Sequence, residues 1–388
     1  MPMEITQTWD DDRLRQERVA LVQQQMREQG VGALYIGDGT TVRYLLNIKV
    51  PSVQAFVPPS GDVLAFVRPR DAGYVKLQYS NIVEPPYDSA MAWGPEGGAD
   101  AGANKLAAFI EDLMAQNGVA GEALGVDTLS FPALAAFNAA EIKLTYGQPC
   151  IEMARAVKTQ DEIAIYRTIG DQYTHTVRAF REALRPGISE NELAGLVVSA
   201  WYEAGGEEMA QLNVCAGENM NPWRRWPTQR AVRDEEFVGL DLHGFGPGGL
   251  RGDASRTFYV GEYPTTEQRD LYKRAHDYLL GTIDAFHGGR TYADALARVP
   301  KIASKYEAQM YNYHVAHAIG MSHSGYPEVN NRKAPLSDTL KPNQVLSVEC
   351  FFAEEGATQA VKLEEMIVVR DGAPEILTLD VPFDERFI

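Results

Sequence analysis

At 388 residues, with 45% hydrophobic and 23% charged side chains, the chain is long enough for two globular domains. Its net charge of −17, with no basic stripe to offset it, argues against nucleic acid and membrane surfaces as partners. Three scattered cysteines (Cys150, Cys215, Cys350) form no CxxC pair, which argues against a disulfide framework or zinc-finger site. The start lacks an apolar signal core, so a reducing, cytoplasmic location is expected.

Residues 13–29 carry Leu14, Val19, Leu21 and Met26 in an amphipathic pattern that stops at Gly30, which predicts a helix. Strands are expected at ALYIG (33–37), VRYLLN (42–47) and DVLAFV (62–67), separated by turns such as Pro58-Pro59-Ser60-Gly61. A helix over 104–116, a strand at ALGVD (123–127), a helix over 130–138 and a strand at KLTYG (143–147) follow. Alternating strands and helices make a small α/β domain of residues 1–154.

The run from Ala154 to Thr159 marks the boundary to a second domain, 155–388. Thr159 with Glu162, Ser189 with Glu192, and Thr265 with Gln268 have capping-box spacing. They predict helices reaching towards Leu184, Ala204 and Phe286, the first broken by Arg185-Pro186-Gly187. Between the second and third lie the strand MAQLNVCAG (209–217) and a hairpin over 237–261 with a glycine-rich turn. Helices segregated against antiparallel strands make this half α+β.

The hairpin carries the first chemistry. Alternate residues of a strand share a face, so Asp241 and His243 point the same way while Leu242 faces the core, and Asp253 opens the return strand. Two carboxylates and an imidazole in one cleft repel and desolvate one another unless a cation compensates. Further on, His314, His317 and His323 fall within ten residues. Glu349 ends the apolar strand VLSVE, and Glu364 sits inside AVKLEEMIVV, with Glu365 facing the opposite side. A glutamate in such a run is expensive to bury unpaired. Two of them, beside the histidines and hairpin aspartates, read as metal ligands.

The order Asp241, Asp253, His317, Glu349, Glu364 resembles the pita-bread metalloenzyme family of methionyl aminopeptidase, Xaa-Pro aminopeptidase, prolidase and creatinase. The first domain is similar to the prolidase/creatinase N-terminal domain, including the RYLLN stretch and ARAVKTQDEI. The resemblance implies an α+β chain: a C-terminal pita-bread catalytic domain preceded by a smaller α/β domain. It implies that Asp241 ligates a first metal, Asp253 and Glu364 bridge two, and His317 and Glu349 complete the second site. Such ligands suit one or two divalent transition ions, Mn, Fe, Co or Zn. Creatinase lacks these ligands, so a metal-free mechanism of its kind is disfavoured.

The departures point elsewhere within the fold. The peptidases space their two aspartates eleven residues apart; here the spacing is twelve, and Asp241 and His243 flank the expected position as candidate ligands. Peptidases carry a histidine after an upstream proline, where this chain has Trp223 in Asn221-Pro222-Trp223. Seven residues beyond His317 they carry another, where Ser324 stands, with His323 one residue earlier. The dimethylsulfoniopropionate lyase branch resembles this chain in the Asn-Pro-Trp motif, the longer spacing, the run from Tyr306 to Tyr311 and the Lys-Leu-Glu ending. That branch has aspartate where His243 and His323 stand; the second of these is its proton-abstracting base.

The expected activity is therefore metal-dependent hydrolysis of a C–N bond in a small polar or zwitterionic substrate, of the Xaa-Pro peptidase type, through a metal-activated water. The alternative is a C–S lyase giving acrylate and dimethyl sulfide, with His323 as base. A third reading is a non-catalytic binding module, which the retained ligand set disfavours. His314 and His323 are candidate catalytic groups. Trp223, Trp226 and Tyr311 are candidates to line a pocket for a cationic or prolyl group, and Arg224 and Arg225 to bind a substrate carboxylate. The implied partners are a small molecule or dipeptide and a second copy in a homodimer, with Trp93 a candidate to reach the neighbouring site.

Overall fold

The structure, a computed structural model, describes residues 6–50, 53–85, 98–223, 226–307, 314–321, 325–330 and 337–388. It divides into two compact units, Asp10–Arg155 and 156–388, and residues 6–9 group with the second unit rather than the first.

In the N-terminal unit, α1 (Asp11–Gln29) is capped by Asp10, whose side chain accepts from the Asp12 and Arg13 amides, and it stops at Gly30 with φ 69°. Strand β1 (Ala33–Ile36) follows. The stretch expected as a strand at 42–47 is instead helix α2 (Gly39–Leu46). Asp38 decides this by accepting from the Thr41 amide, and Asn47 at φ 53° ends the helix, burying Val42, Tyr44, Leu45 and Leu46. A short apolar run fits either period, and only the cap separates them. Then come β2 (Gln54–Val57), absent from the sequence reading, β3 (Leu64–Phe66), α3 (Pro69–Val75), β4 (Ile82–Val83), α4 (Gly98–Gln116), β5 (Leu124–Val126), α5 (Phe131–Ala139), β6 (Leu144–Tyr146) and α6 (Gln148–Ala156). The sheet order is β4-β3-β2-β1-β5-β6, with β1 antiparallel to β2 and parallel to β5. Tyr35, Phe66 and Phe137 from its strands and α5 pack with Leu106, Ile110 and Met114 of α4.

The second unit opens with α7 (Gln160–Ala183) and α8 (Glu190–Glu203), each begun by the expected capping box at Thr159 and Ser189. Strands β7 (Glu208–Ala216), β8 (Glu236–Phe245) and β9 (Ala254–Val260) form a three-stranded antiparallel sheet. Helix α9 (Thr266–Ala285) carries the third capping box, and two short helices follow, α10 (Tyr292–Leu296) and α11 (Ser304–Glu307). Strands β10 (His314–Ala318), β11 (Gly325–Asn330), β12 (Val345–Phe352), β13 (Val361–Val368) and β14 (Glu375–Ile376) pair antiparallel in the order β11-β10-β12-β13-β14. The alternation of β12 splits its work. Leu346, Val348, Cys350 and Phe352 join the apolar core with Tyr272, Ala275, Tyr278 and Leu279 of α9, which turns Ser347 and Glu349 to the other face. There β9 meets β13 through side chains: Thr257 Oγ1 donates to the Lys362 carbonyl, and Arg256 Nη1 to that of Glu364 at 2.7 Å. No helix among the described residues is long and apolar enough to cross a membrane.

Candidate metal centre

Strands β8, β10, β12 and β13, with the residue just before β9, bring six side chains together. In the β8–β9 register Asp241 stands opposite Ser255 and Leu242 opposite Ala254, which brings His243 across from Asp253 at the open end of the hairpin. His317 of β10 lies opposite Ser347 of β12, and Glu349 of β12 lies opposite Glu364 of β13. Asp241, His243, Asp253, His317, Glu349 and Glu364 are each no more than 5% exposed.

The distances join them into two groups that share Asp253. In one, His243 Nδ1 is 3.0 Å from Asp253 Oδ1 and its Nε2 is 3.2 Å from Asp241 Oδ1. In the other, His317 Nε2 is 3.7 Å from Asp253 Oδ2, 3.8 Å from Glu364 Oε1 and 3.9 Å from Glu349 Oε1. His317 Nδ1 turns away, 3.3 Å from the Ala318 carbonyl oxygen, a contact that fixes which nitrogen faces the carboxylates.

Further groups hold the carboxylates in place. Lys362, buried on the same face of β13 as Glu364, donates to Glu349 and, at 3.1 Å, to Glu364. Ser255 Oγ lies 2.9 Å from Asp241 and 2.8 Å from Glu364, and Ser347 Oγ donates to Glu364 at 2.6 Å. Asn213 Nδ2 donates to Asp241 at 3.2 Å. Sequence reading missed these four. Lys362 left a trace, a lysine inside an apolar strand two residues from Glu364. The serines and Asn213 left none, because their relevance depends on which strands become neighbours.

Charge explains the electrostatics. Burial pulls the Lys362 ammonium down, but Glu349 and Glu364 overcome it and hold its pKa well above 10.5. Burial likewise disfavours charged His243, and Asp253 and Asp241 outweigh it, raising its pKa to about 10. Burial raises Asp241, and His243 and Lys362 reverse that to leave it lowered. Four carboxylates still face one ammonium and two imidazoles among the described residues, a buried excess of negative charge that divalent cations neutralise. The donor set fits such ions: carboxylate oxygens and imidazole nitrogens at the spacing of shared ligands. Glu365 stays out, as its parity predicts. It pairs with Arg256 at 2.6 Å, and burial raises its pKa to about 7 although Arg256 opposes the shift.

Trp223 is buried in the apolar core. Its ring covers Gly239, where a Cβ would lie 2.8 Å from the indole, and it is tilted against Phe351 at 6.1 Å between centroids. Gly239 and Phe351 are each two residues along a strand from Asp241 and Glu349, respectively. Trp226 is exposed and does not share that burial. His323, Tyr311, Arg224, Arg225, Ser324 and Trp93 lie outside the described residues, and of His314 only its backbone position at the start of β10 is described.

Comparison with known proteins agrees with this architecture. The sequence pattern of metallopeptidase family M24 matches residues 164–371, and that of the creatinase/prolidase N-terminal domain matches 18–157. The chain is 26% identical over 297 residues to the dimethylsulfoniopropionate lyase of Roseovarius nubinhibens, covering 74% of this chain and 66% of that protein. The lyase of Roseobacter denitrificans is 24% identical over 296 residues, covering 74% and 65%. The chain thus spans slightly less than two thirds of the length of both. Among solved structures, an Xaa-Pro dipeptidase from Bacillus anthracis superposes with a TM-score of 0.78 at 19% identity, covering 95% of this chain and 99% of that one. At that identity the likeness speaks for the fold alone.

Proposed function

The chain belongs to metallopeptidase family M24, whose pattern covers more than half of it, and on that premise we propose a metal-dependent hydrolase of the Xaa-Pro peptidase type. It cleaves an amide or peptide C–N bond in a small polar or zwitterionic substrate, in the cytoplasm and as a homodimer. The observation that carries this reading is the buried centre itself, four carboxylates and two imidazoles against one ammonium. Divalent ions of the Mn, Fe, Co or Zn class supply, when bound, Lewis-acid polarisation of a carbonyl and a lowered pKa for water. Asp241, His243, Asp253, His317, Glu349 and Glu364 are the residues assigned to hold them. Lys362, Ser255, Ser347 and Asn213 keep the carboxylate oxygens oriented. Trp223 and Phe351 offer an aromatic flank for a prolyl ring or a cationic group. His314 and Arg225 are assigned proton transfer and substrate-carboxylate binding.

A second reading is favoured by a specific observation: the two relatives at 26% and 24% identity are lyases, and this chain carries Trp223 where peptidases carry histidine. In that reading His323 takes the proton next to the substrate carboxylate as the C–S bond breaks, and dimethyl sulfide leaves with the sulfur electron pair. Tyr311 would line the same pocket.

A proton NMR time course separates the two. Metal-loaded protein is mixed with dimethylsulfoniopropionate or with Xaa-Pro dipeptides, beside a chelated control. Free proline supports the hydrolase, and vinyl signals of acrylate support the lyase. Neither product, from a fully loaded protein, overturns both.

A further inference from the structure

We propose that Arg251, at the open end of the β8–β9 hairpin, binds a carboxylate of the substrate, a role otherwise given to Arg225. The inference rests on reading the centre as the place where substrate binds, and it holds for hydrolysis and C–S lysis alike.

The hairpin register places the residue. An isolated bridge between Phe245 and Arg251 continues the pairing of Leu242 with Ala254, and the Gly252 amide donates to the Gly244 carbonyl at 2.9 Å. Residues directly opposite in an antiparallel pair share a face. Arg251 therefore stands on the face of Asp241, His243 and Asp253, two residues or about 7 Å along the chain from Asp253. Its amide donates at 2.7 Å to the carbonyl of Gly320, just beyond β10, which ties this end of the hairpin to the strand of His317.

The side chain lacks an internal acceptor. Arg251 is only 8% exposed, yet among the described residues no ion pair or side-chain hydrogen bond engages its guanidinium, and Nε is buried without an acceptor. Two other buried cations of this unit are answered: Arg256 by Glu365 and backbone carbonyls, Lys362 by Glu349 and Glu364. A buried guanidinium without acceptors is costly, and its planar fork matches a carboxylate bidentately. The competing role for Arg251 is a diffuse counter-charge to the carboxylates of the centre. Divalent ions supply that charge when bound, which leaves the guanidinium to an anion from outside.

The consequence is a short acid as substrate. With its anchor two residues from Asp253, the substrate carries its carboxylate only a few bonds from the bond that breaks. A dipeptide ending in proline and a 3-substituted propionate both meet that requirement.

The test compares carboxylates with their amides on the full chain loaded with Zn²⁺. L-Proline is set against L-prolinamide, and acrylate against acrylamide, each titrated by ligand-observed NMR. For at least one pair the wild-type protein should favour the carboxylate by about tenfold or more, the worth of a charge-assisted hydrogen bond. Arg251→Met should lose about tenfold in affinity for that carboxylate and change the amide by less than about twofold, at unchanged zinc content. A wild-type protein with no such preference overturns the inference. A preference that survives in Arg251→Met overturns it too, because the ions then hold the carboxylate. Loss of zinc from that variant also overturns it, since Arg251 is then a counter-charge only. Should the methionine variant not fold, Arg251→Lys keeps the charge without the fork and should lose about threefold or more of the preference. An undiminished preference there overturns the inference. Carboxylate preference in a protein that turns over neither Xaa-Pro dipeptides nor dimethylsulfoniopropionate, lost in the variant, upholds Arg251 and sinks both functional readings. A loaded protein that binds neither pair overturns all three.

Discussion

Replacing Lys362 by methionine removes the buried ammonium that contacts Glu349 and Glu364, both buried as well. In chelated protein Glu349 and Glu364 lose the cation that both of them contact, and the centre has two ways to respond. It can keep its carboxylates ionised, and breaking a buried pair in that way costs about 3–5 kcal/mol. Or it can take up a proton. Neutralising one glutamate at pH 7 from an ordinary value near 4.3 costs about 1.4 kcal/mol per pH unit, or roughly 4 kcal/mol. The two routes agree, so the loss is about 4 kcal/mol. For a unit of this size that is a fall in Tm of roughly 8–16 °C. Bound divalent ions replace the missing charge, so the deficit shrinks when the protein is loaded. Proton uptake becomes easier as pH falls, so in chelated protein the deficit also shrinks by about 1.4 kcal/mol per unit from pH 7 towards 5. Scanning calorimetry of both proteins, chelated and loaded, at pH 7 and pH 5 measures all four quantities. If chelated Lys362→Met unfolds within about 1 kcal/mol of chelated wild type at pH 7, the lysine is not acting as the counter-charge and the reasoning fails.

Asp253→Ala removes the residue common to both groups, and Glu364→Ala the one held by Lys362, Ser255 and Ser347; each should abolish metal loading by elemental analysis, and a fully loaded variant would sink the ligand assignment. Trp223→Ala empties a buried site beside Gly239 and Phe351. It should cost about 3–5 kcal/mol in urea unfolding and raise KM more than it lowers kcat; an unchanged KM would remove Trp223 from the substrate flank. The Arg230 hydrogen bond holds Glu218 down at about 2 against an ordinary 4.5. Its contribution is therefore present above pH 4.5 and lost as pH falls towards 2. Glu218 is nearly half exposed, so the pair is worth no more than about 1 kcal/mol. Glu218→Gln should flatten acid unfolding in that window, and a curve of unchanged steepness would count against the pairing.

What the sequence made legible follows from the range of the forces involved. Thr159, Ser189 and Thr265 announce their helices because a capping box closes within four residues. Asp241 and His243 could be put on one face from strand parity, and Glu349 and Glu364 stood out because charge is costly in an apolar run. Residues 42–47 read as a strand although a helix spans 39–46, because the apolar stretch fits both periods and the deciding contact is one hydrogen bond to Asp38. Lys362, Ser255 and Ser347 act across β9, β12 and β13, on contacts spanning up to about a hundred residues of chain, such as Ser255 with Glu364. Local sequence does not specify such pairings.

The two-faced strand β12 has a further consequence. Sliding it one residue against β13 would exchange its faces, driving Glu349 under α9 and exposing Val348 and Cys350 to the cluster of carboxylates. Each large apolar side chain so displaced forfeits about 1.5–3 kcal/mol of burial, and a glutamate would enter a dry core. Misalignment is thereby penalised by the greasy side of the strand before any ion arrives. Errors in the ligand geometry become errors of folding, and the aliphatic residues beneath α9 serve as its proofreaders.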